Sequence, residues 1–187
     1  MIQPSTNKDY TEIITQYSTN YFNIEANELD GAIVKAKSPS CGLYAKVRDK
    51  SDYSKILYKT SGFFTRILST TFPTIPIFNE KNLNYRRKYE DVLTRIYTIA
   101  AFRRLCSNLT LINLKEYNSR NKLIFMYFNE EIMRQLKEVL QFTTKIPIEE
   151  LIIKYRKSFN QLINTEMRYE NHLKVLNHIY SIFKPRL

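Results

Sequence analysis

The residues in this chain best suited to chemistry are few, and they gather around one turn, Ser38-Pro39-Ser40-Cys41-Gly42. It offers a single cysteine, a candidate thiolate ligand, where metal–sulfur chemistry would need several. The other cysteine, Cys106, follows Phe102 and Leu105 in a helical pattern and is expected to be a small apolar filler. Two cysteines are too few for a disulfide framework. The two histidines, His172 and His178, would stand roughly 120° apart on one helix, so they need a third segment to share a metal. The chain has no nucleophile elbow, metal-binding helix, phosphate loop or paired acid–base constellation, and its 3 glycines leave little room for a phosphate cradle.

The turn must be held by what surrounds it. Ala32-Ile33-Val34 is a β-prone run leading into it through Lys35-Ala36-Lys37. Pro39 keeps Ser38 out of the helical region, and Gly42 is expected to allow a positive φ. Asp30-Gly31 carries turn chemistry and ends an earlier helical pattern over Asn7–Leu29, in which Tyr10, Ile13, Ile14, Tyr17, Tyr21 and Ile24 share one face. After Ser61-Gly62 a short helix is expected from Phe63 to Leu68. An extended stretch follows at Ile75–Phe78, with Pro73 and Pro76 suiting an edge or a strand start. At most two strands are expected before Asn84.

From Asn84 onward the periodicity is helical. Tyr85, Tyr89, Val92, Leu93, Ile96, Tyr97 and Ala100 form one stripe, and Leu111, Leu114, Tyr117, Ile124, Phe125 and Phe128 a second. Ile132, Met133, Leu136, Val139 and Leu140 form a third behind an Asn129 cap. Pro147 opens a helix carrying Leu151, Ile152, Tyr155, Phe159 and Leu162. Thr165 is expected to cap the last, with Leu173, Leu176, Ile179, Tyr180 and Phe183 inward and Pro185 preventing extension. The fold class is therefore mainly α, a C-terminal bundle of about five helices preceded by a truncated α/β segment, with the bundle aromatics expected in its core.

Hydrophobic residues make up 43% of the 187 and charged residues 25%, the balance of a soluble domain. No apolar run is long enough for a membrane span, and the N-terminus lacks a signal-peptide layout, so a cytoplasmic protein without a membrane partner is expected. The net charge of +11 admits a nucleic-acid partner, with Arg86-Arg87-Lys88 and Arg103-Arg104 the densest runs. Abundant Lys, Asn, Ile and Tyr are also what an AT-rich coding sequence produces.

The stretch from Asp30 to Gly42 resembles the last cysteine motif of the thiouracil desulfurase family. As in that family, Gly62-Phe63-Phe64 and Phe72-Pro73-Thr74-Ile75-Pro76 follow. The helical part resembles the YbgA-like domain of unknown function in Tyr117-Asn118-Ser119-Arg120-Asn121-Lys122-Leu123 and in His172 to His178. The resemblance divides the chain into a truncated desulfurase-like α/β segment, 1–83, and a YbgA-like helical domain, 84–187. It implies a [4Fe-4S] cluster held by three cysteines, with one iron open to sulfur from a thiolated nucleobase. Cys41 is then a residual ligand, with Ser38, Ser40 and Gly42 shaping its turn. Lys122, His172 and His178 are family-matching positions without a known role.

The departures are informative. The family's other two cluster cysteines precede this motif, whereas none of the 40 residues before Cys41 is cysteine. Where the YbgA-like family has two histidines, Asn118 and Asn121 stand. No cofactor is therefore expected on this chain alone. The open sheet edge calls for cover by the helical part, by a homo-oligomer or by a separately encoded N-terminal half; a decayed remnant is the remaining reading. A basic helical nucleic-acid-binding module is the alternative function.

Overall fold

The computed structural model describes residues 1–3, 5–25, 28–141 and 146–184. The side chain of Ile24 and the expected stop at Pro185 lie outside what is described. The described residues form two compact units, Met1–Ile99 and Ala100–Leu187. Helices dominate, as the periodicity predicts.

In the first unit, β1 (Ile2–Gln3) pairs antiparallel with β2 (Lys8–Asp9). That pairing delays the first helix, so α1 runs only over Thr11–Asn20 and passes into a π-helical turn at Tyr21–Glu25. Ile13 and Tyr17 of the expected inward stripe are exposed. β3 (Ala32–Val34) follows, then an antiparallel hairpin of β4 (Ala45–Arg48) and β5 (Ile56–Thr60). After α2 (Phe63–Thr71), β6 (Ile77–Asn79) runs parallel to β3, with Ala32 opposite Ile77 and Val34 opposite Asn79. Among the described residues the two expected strands are present as β3 and β6, paired with each other, and four further short strands make two more pairs. The hairpin escapes periodicity because β5 is almost wholly exposed. Its loop is closed by Asp49 and Asp52, whose carboxylates accept from the backbone N–H groups of Ser51 and Ser54, and not by glycine.

The core of this unit is aromatic. Phe22 and Leu68 are buried, packed by Tyr21, Phe64, Phe72 and Ile77. The Phe22 and Phe64 ring centroids lie 4.6 Å apart. The π-helical turn therefore delivers Tyr21 and Phe22 together onto α2.

The long helix α3 (Arg86–Cys106) begins in the first unit and ends in the second. Val92 and Ala100 are buried, but Tyr85, Tyr89 and Tyr97 of the same expected stripe are exposed. Tyrosine tolerates this because its hydroxyl keeps its own contact with water. Next come α4 (Leu111–Arg120), α5 (Lys122–Phe128), α6 (Glu130–Val139), α7 (Ile148–Asn164) and α8 (Tyr169–Phe183). Among the described residues six helices stand where five are expected, because the second stripe is broken at Asn121. Its amide donates to the Tyr117 carbonyl at 2.8 Å, satisfying the end of α4 while its own carbonyl opens α5.

Asn129 caps α6 as expected, accepting from the Ile132 N–H at 3.1 Å. Thr165 does the opposite of what was expected. It closes α7, its hydroxyl donating to the Gln161 carbonyl, and α8 starts only after Arg168. Leu173, Leu176, Tyr180 and Phe183 are likewise not inward; all four are exposed, while Ile179 is half-buried. No helix among the described residues is long and apolar enough to cross a membrane.

The second unit's core is the ring cluster Phe102, Tyr117, Phe125, Tyr155 and Phe159, with Leu114, Phe128, Leu136 and Leu162 also buried. For these residues the expectation of aromatic packing holds. Phe159 lies at the centre, 4.2 Å from Phe102 and 6.0 Å from Phe125 between centroids. Phe159→Ala should lower the unfolding free energy by about 3–5 kcal/mol, the cost of emptying a closely packed ring site. A urea titration followed by circular dichroism measures it.

Candidate functional site

The Cys41 turn is held by one element before it in sequence and one after it. β3 leads into it, and the start of α2 grips it from the side. The three successive carbonyls of Ser40, Cys41 and Gly42 are all taken. Ser40 accepts from the Phe64 N–H at 2.8 Å, Cys41 from the Thr65 hydroxyl at 2.7 Å, and Gly42 from the Gly62 N–H at 2.7 Å. Within the turn the Gly42 N–H donates to the Ser38 carbonyl at 2.8 Å.

Glycine is needed here for space and not for handedness. No glycine in the described chain has a positive φ, which corrects the expectation for Gly42. A Cβ at Gly42 would stand 2.5 Å from the Ser38 carbonyl oxygen, and one at Gly62 would stand 2.6 Å from the Ser40 carbonyl. Both obstacles are backbone, so neither can swing aside. The Ser61-Gly62 break seen in the sequence is thus the socket for the cysteine turn.

The thiol of Cys41 is half-buried. Burial alone pushes it up, but the Ser38 hydroxyl, the Lys35 backbone N–H, the Ser40 hydroxyl and the Lys35 charge together outweigh that, and the thiol sits below its ordinary value. Ser38 and Ser40 are themselves joined at 2.9 Å. The two serines, both just before Cys41, therefore form one cradle for its thiol. Cys41 is also the only cysteine of its unit.

Beside this turn lies an open cleft of about 1490 Å³, to which Lys37 and Pro39 contribute a wall. The hairpin supplies Lys46, Arg48, Lys50 and Lys59, while Arg66 and Lys81 come from after it. Asp9 is the carboxylate lining it among the described residues. Tyr44, Tyr53 and Tyr58, all exposed, line it as well. Sequence reasoning missed this cleft because it depends on the unforeseen hairpin.

In the second unit the structure joins Lys122 and His178, predicted only as separate positions. Lys122 Nζ lies 3.1 Å from His178 Nε2 across α5 and α8. Lysine has only donors, so the imidazole accepts at Nε2. His172 instead sets its ring against Tyr127, with centroids 5.5 Å apart at 80°. The two histidines do not meet, and no group of three or more His, Cys, Asp or Glu side chains converges among the described residues. Asn118 has a structural task, accepting from the buried Tyr155 hydroxyl at 3.0 Å. Cys106 ends α3 and is half-buried, in keeping with a filler.

The cradle makes a measurable claim. In a Cys106→Ser background, Ser38→Ala should move the pH profile of iodoacetamide alkylation at Cys41 to higher pH. Losing a donor to the thiolate raises the thiol toward its ordinary value, so less thiolate exists at neutral pH. Gly62→Ala should shift the profile in the same direction and also cost about 1–3 kcal/mol of stability.

Comparison with known proteins now bears on this geometry. No curated protein and no solved structure matches the chain. Residues 1–80 match the family described as 2-thiouracil desulfurase, reaching further back than the motif resemblance that begins at Asp30. Residues 122–187 match the family described as protein of unknown function (DUF1722). The matched parts contain the Cys41 turn and the Lys122–His178 pair respectively. The chain therefore joins a segment similar to 2-thiouracil desulfurase to a segment similar to DUF1722, the fusion that its motifs predict.

Proposed function

We propose that this chain is a partner-dependent desulfurase-type protein, in which Cys41 supplies one thiolate to an iron–sulfur site completed by ligands from outside the chain. The observation that carries this reading is a single cradled thiol in the first unit. A [4Fe-4S] cluster takes several thiolates, and one thiolate with two hydroxyls does not make its donor set. A stabilised thiolate on a rigid turn remains a good single ligand. Partner dependence also suits the sheet. Parallel strands are ordinarily paired and covered, whereas β3 and β6 pair only with each other among the described residues, and Ile33 is exposed. A partner strand laid along this pair would cover it. Lys37 and the turn hydroxyls would orient and hold substrate beside the thiolate.

Anaerobic reconstitution of the purified chain with iron and sulfide tests this. The chain alone should retain well under four irons per molecule, and Cys41→Ser should remove what is retained. A stable four-iron cluster on the monomer overturns the reading.

The basic cleft favours a second reading, binding of a nucleic-acid strand. Lysine and arginine side chains track phosphates while exposed tyrosines offer faces for bases, a combination that suits single strands. On this reading the interface is the hairpin cleft, whereas the sequence alone points to the helical runs Arg86-Arg87-Lys88 and Arg103-Arg104. Gel mobility of a single-stranded RNA at low salt checks it. Replacing Lys46 and Lys59 by Ala should lower the slope of log affinity against log salt by about 1–2. An equal loss from Arg86→Ala and Lys88→Ala would return the interface to α3.

A further inference from the structure

Helix α8 has two unlike sides. One is anchored to α5: Asn171 donates to the Phe128 carbonyl at 3.0 Å, His178 accepts from Lys122, and Val175 and Ile179 are half-buried. The other carries Tyr169, Leu173, Leu176, Tyr180 and Phe183, exposed by 56%, 43%, 50%, 65% and 79%. Ile182 is exposed as well, near the C-terminal end.

The spacing of the five is not scattered. Steps of four, three, four and three residues set them in a single seam, the a and d positions of two heptads, with Leu173 and Tyr180 at a. Such a seam fits another helix better than it fits water. No charge interrupts it, and charges flank it at both ends: Glu170 beside Tyr169 in the first turn, Lys184 beside Phe183 just past the last.

That polarity chooses the occupant. A parallel copy would set Glu170 against Glu170 and Lys184 against Lys184, with the helix dipoles aligned. An antiparallel copy sets Glu170 against Lys184 twice over, opposes the dipoles, and lays Leu176 on Tyr180 and Leu173 on Phe183 across the two-fold axis. Isologous contacts of this kind are the commonest route to dimers. We propose that α8 pairs antiparallel with α8 of a second copy of this chain through the seam Tyr169–Leu173–Leu176–Tyr180–Phe183.

Sedimentation equilibrium of the full chain over a wide concentration range tests the pairing. The mass should rise from 22.4 kDa toward twice that value. Leu176→Glu should hold it at the monomer mass, weakening association by about tenfold or more, with helicity unchanged because the side chain is not in the core. Should that variant lose helicity, charge reversal decides: Glu170→Lys and Lys184→Glu each weaken the dimer, and the double variant restores it. A chain that stays monomeric at every concentration overturns the proposal. So does a folded Leu176→Glu variant that associates as the parent does, or a double reversal that fails to restore.

Discussion

The first unit depends on one mutual constraint, the fit of the Cys41 turn into the start of α2. Three consecutive carbonyls each find a donor within residues 62–65. Because buried backbone groups must be paired, neither element can shift without stranding the other's polar atoms. Two glycines allow the backbones to come so close. α2 in turn carries Phe64 and Leu68 into the aromatic core, so the turn's position and the core's packing are set together.

The second unit is ordered differently. Its centre is a cluster of rings around Phe159, tied by the buried Tyr155 hydroxyl to Asn118, and further polar links join Asn171 to the end of α5 and Lys122 to His178. The amides of Asn118 and Asn121 are used for structure. Asn118 receives a buried hydroxyl, and Asn121 divides α4 from α5.

What could be read from the sequence follows from how local each signal is. Stripes with caps, such as α6 behind Asn129 and α7 after Pro147, are written in neighbouring residues and appear where expected. The Ser-Pro-Ser-Cys-Gly turn is equally local. The hairpin was illegible because β5 has no buried face to impose alternation and its loop uses aspartates. The role of Gly62 depends on a segment twenty residues away, and Lys122 meets a histidine 56 positions distant. The outward seam of α8 misled most directly. Periodicity reports that a helix has an apolar face, and is silent on whether this chain or another molecule covers it.

The clamp on the cysteine turn also bears on the order of assembly. In many small metalloproteins the ligand loop has no fixed form until the ion arrives, so loading and folding are one event. Here every carbonyl from Ser40 to Gly42 is satisfied by protein donors, and the thiol's own donors come from the turn and from Lys35 just before it. The turn's shape is therefore set by the protein's own hydrogen bonds, and its thiol is presented by that shape alone.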